Sequence, residues 1–151
     1  GAEVLDLFAG SGQLGIEALS RGAKRCVFID QDRGACEIVR QNLRAAGLAG
    51  KASVSQTQAQ HFLSTAREPF DLILMDPPYH QGTVAALLPL VARVVKPGGA
   101  VLAETEYGAQ LPERCGCLVC RKHYKYGKVA LARYEYADEE ELADENSDLP
   151  R

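Results

Sequence analysis

Asp76-Pro77-Pro78-Tyr79 follows directly on the apolar run Leu72-Ile73-Leu74-Met75. It sets a carboxylate, two residues without a backbone N–H and an aromatic ring where a strand is expected to stop. Exocyclic amines on bases are poor nucleophiles, because the nitrogen lone pair is delocalised into the ring. Two acceptors that hold both N–H groups draw that nitrogen toward a tetrahedral shape and aim its lone pair. The Asp76 carboxylate and the Pro77 carbonyl are the natural pair, and Tyr79 can stack on a base taken out of its helix or loop, a contact worth roughly 1–3 kcal/mol. The four residues suit methylation of an amino group on a base, where holding acceptor and methyl in line supplies most of the acceleration. Alone, Asp-Pro-Pro is most often a turn; a second motif gives it weight.

That motif is Gly10-Ser11-Gly12-Gln13-Leu14-Gly15, a G-x-G-x-x-G loop between an expected strand and an expected helix, with Asp30 further on. The obvious ligand is a dinucleotide with its pyrophosphate at the helix N-terminus. Asp6, at the end of the first strand, argues against it: a carboxylate facing the ligand repels pyrophosphate and favours a cation. S-adenosylmethionine carries both an ammonium and a sulfonium. The glycines let the chain pass close under either ligand. Asp30 has two carboxylate oxygens for two ribose hydroxyls, and Asp32 reads as a helix cap.

Other candidates carry less chemistry. His61, His80 and His123 show no triad or metal spacing, although His80 follows the amine grip. Cys117-x-x-Cys120-x-x-His123 offers three metal ligands without a fourth at finger-like spacing, so no metal is assigned. The five cysteines are read as reduced thiols.

Elements that position these motifs alternate strand and helix, as in a parallel sheet with crossover helices. Strands are expected at Val4 to Phe8, Cys26 to Ile29, Ala52 to Gln56, Phe70 to Met75 and Ala100 to Thr105. Helices are expected from Gln13 to Arg21, through Ala35, Ile38, Val39, Leu43 and Ala46, from Gln60 to Ala66, and from a cap at Thr83 to Val95 with a kink or late start at Pro89. Lys96-Pro97-Gly98-Gly99 reads as a turn. Leu118 to Tyr124 and Val129 to Tyr136 leave no room for a helix between them and form an antiparallel hairpin. The first and fourth strands are expected to be neighbours, placing both motifs at one topological switch point.

The 151 residues, 46% hydrophobic, suffice for one core and a single domain. No apolar run approaches a membrane span and no signal sequence opens the chain, so the protein is expected to be soluble and cytoplasmic. Met75 is the only methionine and Gly1 lies just before the first strand, so the sequence reads as trimmed, with an upstream segment missing. Seven acids crowd residues 138–151, read as an acidic, disordered tail. Residues 1–137 hold 16 Lys+Arg against 13 Asp+Glu, a mildly basic body that allows nucleic acid as a partner.

The blocks Val4-Leu5-Asp6-Leu7-Phe8-Ala9-Gly10-Ser11-Gly12 and Leu14 to Ala23, then Phe28-Ile29-Asp30 and Asp76-Pro77-Pro78-Tyr79, closely resemble the RsmD family of bacterial ribosomal RNA methyltransferases, over nearly all of Gly1 to Tyr136. The resemblance implies S-adenosylmethionine-dependent methylation of a guanine N2 in 16S ribosomal RNA. It implies a Rossmann-like class I methyltransferase fold, three layers α/β/α, with a mainly parallel seven-stranded sheet ending in the antiparallel hairpin. It places Asp6, Phe8, Ala9, Gly10, Ser11, Gly12 and Gly15 along the cofactor, Asp30 on its ribose, and Gln58-Ala59 where relatives carry Asp-Ala or Asn-Ala beside the adenine. Asp76, Pro77, Pro78 and Tyr79 would hold the guanine. Relatives also begin with a basic RNA-binding segment. The expected partner is ribosomal RNA or an assembling small subunit, and the expected state is a monomer.

Arg121, Lys122, Lys125, Lys128 and Arg133, interleaved with Tyr124 and Tyr126, could contact phosphates or be ordinary charges on a solvated hairpin. Two other functions fit the motifs: adenine N6 methylation on DNA or RNA, since the same grip holds either amine, and a nucleotide-binding module without transferase activity.

Overall fold

In the computed structural model, residues 1–78 and 82–137 are described; Tyr79, His80, the acidic tail and the side chain of Tyr126 lie outside them. One eight-stranded sheet runs in the order β3-β2-β1-β4-β5-β8-β7-β6. Its parallel half comprises β1 (Glu3–Leu7), β2 (Arg25–Asp30), β3 (Ala52–Gln56), β4 (Phe70–Met75) and β5 (Val95–Glu106). The antiparallel half comprises β6 (Arg114–Cys115), β7 (Leu118–Tyr126) and β8 (Val129–Tyr136).

β1 is central. Leu5 pairs with Val27 on one side and Ile73 on the other, and Val4 to Leu7 are all buried. A strand covered on both faces needs apolar side chains at successive positions, which is why Val-Leu-Asp-Leu does not alternate. Helices α1 (Gln13–Ser20) and α2 (Arg33–Ala45) cover one face, over Val4, Phe28 and Leu74. Helices α3 (Ala59–Thr65) and α4 (Thr83–Val91) cover the other, over Leu7, Ile73 and Val101.

In α2 the Asp32 carboxylate accepts the Ala35 N–H at 2.8 Å, a true N-cap worth about 1 kcal/mol. Its buried stripe is Cys36, Val39 and Leu43. Ile38, expected inward, is 47% exposed, because the stripe at helical spacing passes through Cys36 and leaves Ile38 on the flank.

Several expectations need correction. The sheet has eight strands, not seven. Gly116, at φ 58, turns the chain sharply enough for Arg114 and Cys115 to pair back on Val119 and Leu118. The Tyr134 hydroxyl donates to the Pro112 carbonyl at 2.6 Å and anchors the chain entering that extra strand. Gly82, at φ 76, occupies the cap of α4, and Thr83 is its first helical residue. Pro89 stays inside the helix, which ends at Val91 and tightens into a 3₁₀ turn over Ala92–Val94. Val95 belongs to β5, and Lys96 to Gly99 form an irregularity within that strand, between Val95 paired to Phe70 and Ala100 paired to Leu72. Lys96 Nζ reaches Glu3 at 3.2 Å and Asp71 at 3.3 Å from there, tying three strands at their lower edge. Among the described residues, no helix is long and apolar enough to cross a membrane.

Candidate active site

The site forms at the carboxyl ends of β1, β2 and β4, where the chain leaves β1 for one face and β4 for the other. This is the switch point of an open α/β sheet. The loop after β1 is held by its own backbone and by both neighbours. The Ala9 N–H donates to the Ile29 carbonyl at 2.9 Å, and the Gly12 N–H to the Ala9 carbonyl at 2.7 Å. Asn42, on α2, donates to the Ser11 carbonyl at 2.9 Å; the sequence reading missed this clamp, which no motif marks. Phe8 has φ 62, the single non-glycine in the left-handed region among the described residues, a strained conformation of the kind found where loops meet ligands.

The three glycines of the loop have different tasks. Gly10, at φ 59, has open space where a Cβ would stand. A Cβ on Gly12 would meet Val39 at 3.2 Å, and one on Gly15 would stand 2.3 Å from the Phe28 ring. Gly10 therefore leaves the loop surface bare, whereas Gly12 and Gly15 let α1 lie close against α2 and β2.

Asp6 is turned beneath the loop. It is 2% exposed and accepts the Gly15 N–H at 3.1 Å, so it shapes the loop from below rather than standing open toward a ligand as expected. Burial, with the nearby Asp76 and Asp30 charges, pushes its carboxyl up to about 7, against the lowering effect of the Gly15 N–H. Asp30 accepts the Gly10 N–H at 2.9 Å through Oδ2 and the Asp32 N–H at 2.9 Å through Oδ1. Each oxygen keeps a further lone pair.

Beside Asp30 opens a cavity of about 440 Å³, within the range of small-molecule sites. Phe8, Asp30, Gln58, Ala59, Pro77 and Pro78 line it, so it opens between the residue entering the glycine loop and the two prolines of the other motif; among the described residues Asp6, Ala9, Gly10, Ser11, Gly12, Gly15 and Asp76 stand outside its lining. Gln58 is exposed at the start of α3, without a capping bond from its side chain. Gln31, Thr83, Ala86 and Leu87 also line the cavity and were not expected there from sequence, which read Thr83 only as a helix cap. Gln31 had a local signal, its place next to Asp30; the three α4 residues look like an ordinary helix face. Asp76 is half-buried, Pro77 buried and Pro78 exposed. The Asp76 charge is one of the causes, after burial, that hold the Asp6 carboxyl above its ordinary value.

The cysteine cluster on the far strands does not join this site. Cys117 Sγ donates to the Ala92 carbonyl at 3.3 Å, and Cys120 Sγ lies 3.2 Å from His123 Nε2. Among the described residues no three His, Cys, Asp or Glu side chains are gathered as a metal ion requires.

The family described as conserved hypothetical protein 95 matches residues 1–135. The chain belongs to this family, the RsmD family. The Bacillus subtilis protein YlbH, which carries a provisional rRNA methyltransferase assignment, is 41% identical over 140 residues, covering 89% of this chain and 76% of YlbH. The ribosomal RNA small subunit methyltransferase D of Escherichia coli K12 is 39% identical over 90 residues, covering 60% of this chain and 45% of that protein. The chain thus spans less than half the length of that relative. The solved structure of Escherichia coli yhhF, provisionally a methyltransferase, superposes with a TM-score of 0.83 at 30% identity, covering 91% of this chain and 78% of that one. This RsmD family chain has the Rossmann-like class I methyltransferase fold.

Proposed function

We propose that this protein transfers the methyl group of S-adenosylmethionine to the exocyclic N2 of a guanine in 16S ribosomal RNA. The observation that carries this reading is that Phe8, which leads into the glycine loop, Asp30, which holds the Gly10 N–H, and Pro77-Pro78 line one cavity, in a chain of the RsmD family. Matched relatives named as ribosomal RNA small subunit methyltransferases support the substrate.

The residues present fit the cofactor. Asp30 and the nearby Asp76 put negative charge at the crevice, which favours a cationic ligand over a pyrophosphate, and Asp6 supports the loop from below. Gly10 leaves room beside the loop. Asp30 is the ribose acceptor, Phe8, Ala9, Gly10 and Ser11 border the ligand through the loop, with Gly12 and Gly15 fixing the loop's path, and Gln58 and Ala59 flank the adenine. When bound, S-adenosylmethionine supplies an electrophilic methyl on a sulfonium.

The acceptor side belongs to β4. The Asp76 carboxylate and the Pro77 carbonyl accept the two N–H groups of the guanine amine and aim its lone pair, while Tyr79 stacks on the base. Pro77 and Pro78 donate no backbone N–H, so the rim they form offers the amine acceptors alone. A methylated amine is acidic enough to lose its extra proton without a strong base, so positioning dominates. The protein acts in the cytoplasm, as a monomer, on ribosomal RNA or an assembling small subunit.

Labelled methyl transfer to small-subunit ribosomal RNA lacking the modification, followed by digestion to nucleosides, tests the reading. N2-methylguanosine is the expected product, and N6-methyladenosine would sink it. Tight binding of NAD with none of S-adenosylhomocysteine would point instead to a nucleotide-binding module.

A further inference from the structure

Two large aromatic side chains stand exposed at the β7–β8 hairpin. Tyr107 is 59% exposed and Tyr124 is 42% exposed. Residues 118–128 contain Arg121, Lys122, Lys125 and Lys128 and no Asp or Glu. The hairpin closes through Gly127-Lys128, with Tyr126 paired to Val129.

Register fixes where this tip lies. Met75 pairs with Ala103, Ala103 with Ala132, and Ala132 with His123. One step further along the same edge come Asp76, Glu104, Leu131 and Tyr124, with Glu104 paired to Leu131 and Leu131 to Tyr124. Tyr124 is therefore three strand spacings from Asp76, ~14 Å across the sheet, and the hairpin runs on beyond it by two residues, ~7 Å. The tip overhangs the edge that carries the amine grip. Tyr107 is fastened to it, since its N–H donates to the Lys128 carbonyl at 3.1 Å and its ring lies 5.1 Å from Lys125 Nζ. Lys125 pairs with Ala130, and Ala130 with Thr105, two residues before Tyr107. Tyr107 and Lys125 thus share one face of the sheet, and Tyr124 takes the other, leaving an exposed ring on each side of the tip.

Exposed rings with mobile cations beside them are what single-stranded nucleic acid uses: bases stack on the rings and phosphates pair with the cations. We propose that Tyr107, Tyr124, Lys122, Lys125 and Lys128 form a landing surface for the single-stranded nucleotides that flank the target base. This rests on the RNA methyltransferase reading. The strand passes over the hairpin tip, the tyrosines stack on its bases, and the lysines hold its phosphates, so that the target nucleotide reaches Asp76 already oriented. Glu104 and Glu106 are the acids at the same end of β5, and Glu106 is engaged by the Thr105 hydroxyl at 2.9 Å.

The test is methyl transfer to unmodified small-subunit ribosomal RNA by the intact protein and its variants, with RNA binding measured across ionic strength and S-adenosylhomocysteine affinity measured alongside. Tyr107→Ala and Tyr124→Ala are each expected to raise the KM for RNA about tenfold, a loss that Tyr107→Phe and Tyr124→Phe restore. Lys125→Gln is expected to reduce the slope of log affinity against log salt by about one. Arg67→Ala, an exposed cation ahead of β4 at the opposite edge, is expected to leave RNA affinity unchanged. All variants retain S-adenosylhomocysteine affinity. An unchanged KM in both tyrosine-to-alanine variants, or an equal loss in Arg67→Ala, overturns the landing surface and leaves the proposed function standing. Transfer to no RNA by the unaltered protein overturns both.

Discussion

The Gly15 N–H donates to the Asp6 carboxylate at 3.1 Å, with Asp6 almost sealed from solvent beneath the loop. The bond joins the end of β1 to the first turn of α1, so loop shape and carboxylate environment are one feature.

Its first consequence is a pH dependence of stability. Burial, then the neighbouring acids, raise the Asp6 carboxyl to about 7 in the native state, from the ordinary 3.8. Below the ordinary value the group is protonated in both states; between the two values only the native state keeps the proton, so stability falls as pH rises toward 7. The loss is on the order of 4 kcal/mol. Denaturant unfolding of the protein and of Asp6→Asn at pH 5 and pH 8 checks this: the variant should gain relative stability at the higher pH. An equal difference at both values would remove Asp6 as the cause.

Gly15→Ala should destabilise the fold by about 3 kcal/mol or more, since its Cβ would stand 2.3 Å from a Phe28 ring carbon and 2.8 Å from Cys26 Sγ. Thermal unfolding reads the loss, and Phe28→Leu in the same chain should recover part of it. Gly10→Ala meets no such neighbour and should cost about 1–2 kcal/mol through its left-handed backbone alone.

Replacing Asp30 by Ala removes the acceptor of the Gly10 and Asp32 N–H groups as well as the proposed ribose contact. Calorimetry with S-adenosylhomocysteine should show affinity reduced about tenfold to a hundredfold, the range of one or two charge-assisted hydrogen bonds. Retained affinity would move the ribose elsewhere.

Asp76→Ala should separate binding from transfer. Turnover should fall roughly a hundredfold or more, while S-adenosylhomocysteine affinity stays close to that of the unaltered protein. Equal loss of both would show that Asp76 serves the cofactor and not the amine.

Much of the framework was legible because it rests on local pattern. β3 and β4 begin and end where their apolar and turn residues say, and the loop and the Asp76 strand end fall at the switch point as expected. What escaped depends on partners distant in sequence. Asp6 reads as a ligand-facing acid until α1 folds over it. β6 is too short to carry a strand pattern, and only pairing with β7 makes it one. Lys96 to Gly99 looks like a turn, because turn residues also serve an irregularity inside a strand. Tyr107 follows a strand with no motif around it, and its place is set by the Lys128 carbonyl, two strands away along the chain.

The central place of β1 also bears on how the molecule is made. β1 precedes β2 closely in the chain and can pair with it early in synthesis, but its other partner is β4, with Leu5 waiting for Ile73. Until then the nascent sheet has an open, apolar edge beside the glycine loop, the kind of edge that recruits wrong partners. The loop acquires its second wall only when β4 arrives, and that same strand carries Asp76 and Pro77, the proposed amine acceptors, in its wake. The proposed cofactor pocket and the proposed acceptor grip are therefore completed in one docking event.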